Sequence, residues 1–164
     1  MSGVYSSLLQ TFLTCRHSDM KALIQRVSSA SVEVEGRIVG QIKKGILVFI
    51  GIEKQDDLKH ADKMINKILS YRVFSDTEGK MNLSVRDING GVLLVSQFTL
   101  AAETNNGTRA GFSTAKAPLE AENIYNHMVG RANNLSTDIE SGIFAADMKV
   151  ALVNDGPVTF LLKC

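Results

Sequence analysis

The sequence predicts an α/β fold, in which a mixed β-sheet system carries two helices on one of its sides. Three features of the 164 residues support this prediction. Strand-like segments open the chain, two later strands are each followed by a helix-like segment, and the last segments are again strands. This order is typical of helices that pack against a mixed sheet. The length and the hydrophobic content of 45% fit a single domain.

The first part of the chain contains three predicted strands. Residues 21–34 alternate side chains between two faces, which is the period of a strand. Gly36 and Arg37 form a predicted turn, and residues 38–42 return as the second strand. Residues 46–52 are apolar without interruption, so we expect a central strand that is covered on both faces.

Two helices are placed by capping residues and by the spacing of apolar side chains. Asp56 is the predicted N-cap of the first helix, and Pro118 suits the first turn of the second. The apolar stripe of the first helix consists of Leu58, Ala61, Met64, Ile65, Ile68 and Leu69. The stripe of the second consists of Ala121, Ile124, Tyr125, Met128 and Ala132.

The remaining segments are shorter or less regular. Residues 71–74 are predicted as a short strand and residues 81–89 as irregular structure. Residues 92–95 are apolar and partly β-branched, which favours a buried strand. Residues 101–113 form a long polar loop, and a loop of that length is either functional or slack.

Composition limits the classes of function. A net charge of +1 argues against a broad surface for polyanions, although a local basic patch remains compatible with it. Cys15 and Cys164 form no disulfide framework, so we expect a reducing compartment and a cytoplasmic location. No run of 18 apolar residues is present, and no membrane association is expected.

The first residues differ in composition from the rest. Residues 1–18 contain Arg16 but no acidic residue, which weakly resembles an organellar transit peptide. The alternative, which we favour, is a disordered extension before an internal start at Met20. The predicted division is therefore an extension over residues 1–19 and one domain over residues 20–164.

The first candidate motif follows the buried strand at residues 92–95. Ser96, Gln97, Phe98 and Thr99 place two hydroxyls and a carboxamide at the strand's carboxyl end. Such groups suit a site that binds a polar but uncharged part of a ligand. Taken alone, the same residues are also typical of a strand that ends in a capped loop.

The second candidate motif is Asn154-Asp155-Gly156-Pro157-Val158-Thr159, close to the carboxyl terminus. It joins two apolar runs, residues 150–153 and 158–162, and contains one of the two prolines. An X-Pro bond adopts the cis form at modest cost, and proline removes one backbone donor. From the local residues alone, a hairpin turn is the favoured interpretation.

Taken together, the two motifs resemble the signature pair of the D-aminoacyl-tRNA deacylases, the chirality-proofreading enzymes of translation. The resemblance runs from about Met20 to Cys164 and continues in four further segments: residues 22–27, 71–76, 79–83 and 144–148. One departure is Ala110, where relatives usually carry a proline after the basic residue.

The resemblance implies a three-layer α/β/β sandwich that works as a homodimer. It also implies a cis Gly156-Pro157 bond, whose dipeptide enters the pocket of the other subunit and leaves no room for an L side chain. Arg26 resembles the arginine that braces this motif across the dimer, and its alternative is a half-exposed strand arginine. The residues expected to act on the ester are Ser96, Gln97, Phe98 and Thr99. Those expected to bind substrate are Arg26, Phe144, Met148, Asn154, Gly156, Pro157 and Thr159.

The residues themselves favour hydrolysis that needs neither a metal nor a cofactor. His17, His60 and His127 are scattered and fit neither a metal site nor a Ser-His-Asp triad. An aminoacyl ester is already activated, so N–H donors that stabilise the oxyanion suffice, and residues 97–99 are the candidate donors. Phe98 also offers a ring for stacking on a terminal base. Thr99 is alternatively a nucleophile, although no activating base is identifiable.

The expected substrate is the acceptor end of tRNA carrying a D-amino acid, and glycyl-tRNA(Ala) is a further candidate. The alternative function is a non-catalytic nucleic-acid-binding module linked to DNA replication. Animal relatives linked to replication carry basic tails, which this sequence lacks after Cys164. A small-molecule esterase is the third hypothesis.

Overall fold

The computed structural model describes residues 19–136 and 138–164. In these ranges the chain forms eight strands and two α-helices. Their bounds are β1 Lys21–Val34, β2 Arg37–Ile42, β3 Gly45–Gly51, α1 Leu58–Ser70, β4 Phe74–Ser75, β5 Met81–Leu83, β6 Gly91–Ser96, α2 Pro118–Leu135, β7 Ile139–Ser141 and β8 Lys149–Lys163.

Six of these strands form one mixed sheet. Strand β3 pairs antiparallel with residues 21–27 of β1 and parallel with β6, which in turn pairs parallel with β7. The second half of β1 pairs with β2 along the same edge, while β8 runs along the opposite edge of β1. The predicted mixed sheet is therefore confirmed, and β1 connects its two halves.

The sheet is buried on both faces, because two hydrophobic clusters lie on opposite sides of β3 and β6. Side chains of α1 and α2 cover one face, formed by Ile46, Val48, Ile50, Val92 and Leu94. Alternate residues of the same strands turn the other way and pack with side chains of β1 and β2: Leu47, Leu93, Val95, Val27, Ala30, Val32 and Ile42. The two cores account for the α/β/β sandwich, with helices on one outer side and the folded-over strands on the other.

The close contact between β2 and the central layer depends on a glycine. A Cβ atom on Gly40 would lie 3.0 Å from the Ser141 carbonyl oxygen and 3.1 Å from Leu93 Cδ1. These distances are tighter than ordinary van der Waals contact, so a larger residue would push β2 away from β7. The folded-over layer can thus approach the central strands only because residue 40 lacks a side chain.

The predicted N-cap of α1 is wrong by one residue. Asp57 is the cap, and its carboxylate accepts the N–H groups of Lys59 and His60 at 2.9 and 3.0 Å. The carboxylate of Asp56 instead accepts the Glu53 N–H at 2.6 Å. Two adjacent aspartates offer the same cap, and Asp56 is not the one used because its carboxylate is bonded to the Glu53 N–H, three residues earlier.

The apolar stripes of both helices are confirmed, with one exception. The five predicted residues of α2 are buried, as are Ala61, Met64, Ile65, Ile68 and Leu69 of α1. Leu58 is 49% exposed, because it lies in the first turn of α1, beyond the edge of the core.

Two short elements differ from expectation. The strand predicted over residues 71–74 is shorter and begins later, as β4 over Phe74–Ser75. Residues 81–89, predicted as irregular, contain β5. These two strands pair only with each other in a small antiparallel sheet. Segments this short show no period that sequence patterns can detect. The predicted extension lies outside the described residues except for Asp19, and its disorder stays a prediction.

Candidate active site

The first motif lies where β6 leaves the sheet. Residues 92–95 are fully buried, and Ser96 is the last residue of the strand. The next N–H, that of Gln97, still bonds to the Ile50 carbonyl of the neighbouring strand at 2.7 Å. The chain then enters a 3₁₀ turn over Phe98–Ala101. The sheet thus fixes the point at which the polar residues begin.

This turn changes the set of backbone donors that the site can use. The Gln97 N–H is already bonded within the sheet, so it is not free for a ligand. The first N–H that bonds within the turn is that of Leu100, to the Gln97 carbonyl at 3.1 Å. The N–H groups of Phe98 and Thr99 precede it and have no partner inside the turn. The three predicted donors are therefore reduced to two.

The side chains of this motif form their own contact. The Gln97 carboxamide donates a hydrogen bond to the Thr99 hydroxyl. His60 bonds to Asp57 and His127 to Asp62, each at 2.8 Å. Both histidines are therefore engaged on the helices, and Thr99 has an amide rather than an imidazole as its neighbour.

A cavity of about 480 Å³ opens beside the motif. Five of the predicted site residues line it: Ser96, Gln97, Phe98, Phe144 and Met148. Most other lining groups are apolar, and they come from β3, the start of α2 and the segment before β8. Cavities of this size, with a few polar groups at one end, are typical of small-ligand sites.

One wall of the cavity is held in place by Tyr125 of α2. Its ring packs on Phe144 with the centroids 5.9 Å apart. Its buried hydroxyl lies 2.9 Å from the Leu94 carbonyl oxygen and 3.1 Å from that of Gly142, and donates its proton to them. Burial raises the pKa of Tyr125 to about 12, so the hydroxyl stays protonated and remains a donor. Sequence analysis identified Tyr125 only as a core residue.

The segment between β7 and β8 shapes the same wall. Ala145 has a φ of 60°, in the left-handed region that non-glycine residues seldom adopt. A Cβ atom on Gly142 would lie 2.6 Å from Met148 Sδ, so the absence of a side chain there lets Met148 pack closely. Residues in such backbone regions often occur at binding sites. Neither feature has a signal in the sequence.

A buried carboxylate lies in a turn that is bonded to residues lining the cavity, Ile52 and Lys116 among them. The turn of residues 53–56 is tied to residues 114–116 by backbone bonds, from Lys54 N–H to Thr114 O at 2.8 Å and from Lys116 N–H to Ile52 O at 3.1 Å. Within this turn Asp56 is 2% exposed, and its Oδ1 has no hydrogen-bond partner. Burial raises the pKa of Asp56 to about 6, against partial compensation by the Glu53 N–H.

The second motif is part of a continuous strand, so the hairpin turn favoured by its local residues is wrong. Both flanks pair with the same partner strand: Asn154 is opposite Val27 and Thr159 is opposite Gln25. The four residues between them therefore face a single residue of β1, Arg26. The Gly156–Pro157 bond is cis, and both residues are exposed.

Arg26 and Asn154 hold this widened segment in shape. The Arg26 side chain, 14% exposed, donates from Nε to the Asp155 carbonyl and from Nη1 to the Val73 carbonyl, both at 2.7 Å. Asn154 Oδ1 accepts the Val158 N–H at 2.7 Å, and its Nδ2 donates to the Thr159 hydroxyl at 3.0 Å. Arg26 is therefore not the half-exposed strand arginine of the alternative. It braces the motif of its own chain, whereas the resemblance implies bracing across the dimer, which stays a prediction.

The two motifs do not meet within one chain. Among the described residues, the lining of the 480 Å³ cavity includes none from residues 154–159 and does not include Arg26 or Thr99. A larger recess of about 670 Å³ lies on the other side of residues 101–105, and its described lining contains no predicted site residue. Lys21 and Glu53 form an ion pair there, at 2.7 Å.

The described ranges contain neither a metal-binding cluster nor a membrane-spanning helix. In residues 19–136 and 138–164, no group of three or more His, Cys, Asp or Glu side chains is placed to hold a metal ion. Neither described helix is both long and apolar enough to cross a membrane.

A sequence model described as D-Tyr-tRNA(Tyr) deacylase matches residues 23–163. The chain belongs to this deacylase family. A D-aminoacyl-tRNA deacylase of Stutzerimonas stutzeri (strain A1501) is 55% identical over 144 residues, which cover 88% of this chain and 99% of the relative. One of Saccharophagus degradans is 58% identical over 143 residues, covering 87% and 99%. The predicted family, and with it the class of ester hydrolases, is confirmed.

Solved structures agree with the fold. A protein named c-Myc DNA Unwinding Element Binding Protein superposes with a TM-score of 0.84 at 39% identity, over 88% of this chain and 98% of that one. A probable eukaryotic D-amino acid tRNA deacylase gives a TM-score of 0.79 over 89% and 100%. Its identity is only 12%, so this second likeness supports the fold alone.

Proposed function

We propose that this deacylase hydrolyses the ester bond of D-aminoacyl-tRNA, and so releases free tRNA and the D-amino acid. The observation that carries the proposal is an apolar cavity at Ser96, Gln97 and Phe98, in a chain that matches the deacylase family over residues 23–163. The reaction corrects chirality before translation. Glycyl-tRNA(Ala) is a second substrate under this proposal, because glycine has no side chain to exclude.

The chemistry requires positioning and charge stabilisation. Water adds to the ester carbonyl carbon, the bond to the ribose oxygen breaks, and that oxygen leaves with a proton. The adjoining ribose hydroxyl assists the attack. The N–H group of Phe98, which lines the cavity, and that of Thr99, the next residue of the turn, are the donors proposed for the oxyanion, and such preorganised donors stabilise developing charge effectively. The Gln97 amide holds the Thr99 hydroxyl, which favours a positioning role for Thr99 over a nucleophilic one.

The cavity walls bind the end of the substrate. Phe144 and Met148 provide apolar surface for the terminal nucleoside, and Ser96 provides a hydroxyl at the strand end. Tyr125 fixes Phe144 from behind. The well-defined position of this wall supports binding without any reorganisation of the protein.

Chirality is selected by exclusion across a homodimer. In this proposal Gly156 and Pro157 of a second copy enter the cavity, and their carbonyls contact the α-amino group where an L side chain would clash. Residue 156 tolerates only glycine: φ is 151°, and a Cβ atom would lie 2.8 Å from Val158 N. Both residues are exposed and lie outside the cavity of their own chain, which supports contribution to another copy.

The edge formed by β8 supports the dimer. In the described part of the chain β8 pairs with β1 only, so its other side is an open sheet edge. Three large apolar side chains on this strand are exposed: Val153 at 57%, Phe160 at 37% and Leu161 at 49%. A long apolar edge strand tends to pair or to become covered. A second copy would cover it and complete both sites.

The test compares D- and L-tyrosyl-tRNA as substrates of the purified protein, with and without chelator. We expect fast hydrolysis of the D ester alone, with no effect of chelator. Replacing both Gly156 and Pro157 by alanine should abolish discrimination. Equal rates for both esters in the wild type would refute the proposed function, and retained discrimination in the double variant would refute exclusion.

Two single variants test whether misfolding causes the loss of discrimination in the double variant. Pro157→Ala alone leaves the glycine in place and avoids the clash at residue 156. Gly79→Ala places alanine at another left-handed glycine, φ 78°, in the loop between β4 and β5, where no atom lies within 4 Å of the new Cβ. Discrimination should fall in the first variant and persist in the second.

The competing function is non-catalytic nucleic-acid binding. The likeness to the c-Myc DNA Unwinding Element Binding Protein, at 39% identity, is the observation that favours it. It predicts an affinity for duplex DNA that matches the affinity for tRNA and falls steeply with salt. We expect instead weak, non-specific DNA binding, and a titration at two salt concentrations separates the two.

A further inference from the structure

An exposed pair of aromatic rings lies at the mouth of the 480 Å³ cavity. The ring centroids of Phe98 and Phe112 are 5.1 Å apart and the planes are tilted by 46°. Phe98 is 62% exposed and Phe112 45% exposed. Since Phe98 also lines the cavity, the pair extends from its entrance outward over the surface. Two adjacent rings left largely in water form an apolar patch that has no covering in one chain.

The exposure of Phe112 is imposed by the loop that carries it. Glu103 and Gly111 exchange two backbone hydrogen bonds, of 2.8 and 3.0 Å, across the base of this loop. The Thr114 hydroxyl donates to the Ala101 carbonyl, and the Thr114 carbonyl accepts the Lys54 N–H. The backbone on both sides of Phe112 is therefore fixed, and the ring is presented to solvent by a braced loop.

The same loop presents a positive charge. Residues 104–110 are exposed, and Arg109 is the one charged residue among them. Proteins that bind single-stranded nucleic acids combine aromatic rings, on which the bases stack, with cationic side chains that contact the phosphates. The loop that carries Phe112 also carries such a cation, the Arg109 guanidinium. A peptide partner would not require this combination.

We propose that the Phe98–Phe112 pair stacks the base that precedes the esterified nucleoside, and that Arg109 contacts the adjoining phosphate. The proposal rests on the proposed function, in which the terminal nucleoside and its amino acid fill the cavity. The nucleotide before them must then leave at the mouth, where the pair lies. The surface thus recognises the single-stranded 3′ end of tRNA, beyond the reacting unit.

The test uses Phe112→Ala and two D esters that differ only in length, D-tyrosyl-tRNA and D-tyrosyl-adenosine. Stacking on an aromatic side chain contributes about 1–3 kcal/mol per base, so KM for the tRNA should rise about 5- to 150-fold with kcat unchanged. The adenosine ester lacks the stacked base, so its kcat/KM should not change. Phe112→Trp should restore the tRNA KM.

Arg109→Gln gives an independent readout. Loss of one phosphate contact to a single strand should lower the slope of log affinity against log salt by about 0.7 for the tRNA. Ile38→Ala is the matched control for Phe112→Ala, because both variants truncate an exposed apolar side chain. Ile38 lies on β2, is 55% exposed and is outside the described cavity lining. It should leave both substrates unaffected.

The outcomes separate this inference from the function on which it rests. An equal loss on both esters in Phe112→Ala would mean that the pair merely holds the loop, and the inference would be wrong. No loss on either ester would also overturn it. A wild-type protein that hydrolyses neither D ester would refute the proposed function, and this inference with it.

Discussion

The two motif regions, residues 96–99 and residues 154–159, are held in place in different ways. The first continues a buried strand, is bonded to the sheet through Gln97, and adjoins a cavity supported by the buried Tyr125 hydroxyl. The second interrupts the pairing of an edge strand, and side chains of Arg26 and Asn154 keep it in shape. The first region borders a cavity. The second, residues 154–159, is an exposed segment of fixed shape and is called the projection below.

The difference indicates which parts of a site one chain can complete. The cavity at residues 96–99 has walls, backbone donors and supporting contacts within the same chain. The segment at residues 154–159 is equally well defined, yet its exposed Gly156 and Pro157 belong to no described cavity of that chain. A rigid, exposed segment without a cavity is suited to act on another molecule. Separate variants of the supporting residues should therefore have separable effects.

The largest effect is expected from Arg26→Met, which removes the brace of the projection. The Asp155 and Val73 carbonyls both lose a charged donor. Hydrogen bonds to charged groups contribute about 1.5–3 kcal/mol each, so the free energy of unfolding should fall by about 3 kcal/mol or more. Discrimination between D- and L-tyrosyl-tRNA should fall at least about tenfold, because the projection loses its fixed shape.

Arg37→Met is the control for this variant. Arg37 is an exposed arginine on β2, and its loss should change neither stability nor discrimination. If Arg26→Met kept full discrimination while losing stability, the projection would not depend on its brace, and the contrast between the two regions would disappear.

A smaller effect, which depends on pH, is expected from Asp56→Asn in the turn before α1. Burial raises the pKa of Asp56 from 3.8 to about 6, so folding favours the protonated form. The stability contributed by this proton is present below pH 3.8 and is lost as pH rises through 6. One pKa unit corresponds to about 1.4 kcal/mol, so Asp56→Asn should gain about 2 kcal/mol over the wild type between pH 4.5 and 7.5.

Urea unfolding at the two pH values measures this gain. Glu78→Gln, which neutralises an exposed carboxylate in the loop between β4 and β5, should follow the wild type at both. If the difference in the free energy of unfolding between Asp56→Asn and the wild type were the same at both pH values, Asp56 would be ionised in the folded as well as the unfolded protein. Its burial would then not couple stability to pH.

The sequence predicted most of the fold because its long elements have clear periods. Residues 21–34 and 46–52 alternate or stay apolar over enough positions to define a strand, and both helices have regular stripes. The errors fall on short segments, such as β4 and β5, and on the choice between Asp56 and Asp57 as the cap. There the carboxylate of Asp56 is already bonded to the Glu53 N–H, three residues earlier, and Asp57 caps the helix instead.

The candidate site was predictable only in part. Ser96, Gln97 and Phe98 do line the cavity with Phe144 and Met148. The local residues of the second motif predict a turn, however, and only the long-range pairing with β1 makes the segment a strand. Sequence analysis identified neither Tyr125, which supports the cavity wall, nor Phe112 of the proposed stacking pair, since a buried hydroxyl or an exposed ring depends on neighbours that are distant in sequence.

The smallest effect is expected from Tyr125→Phe, behind the cavity wall. The ring still packs on Phe144, but the Leu94 and Gly142 carbonyls lose their buried donor, which should cost about 1–2 kcal/mol of stability. Hydrolysis of the D ester should slow while the ratio of D to L rates stays constant, because the projection is untouched. Tyr71→Phe, whose ring packs on Phe160, is the matched control and should leave the rates unchanged. If Tyr125→Phe lowered the D to L ratio, chirality would be read by the cavity wall itself, and the division of roles between the two regions would be wrong.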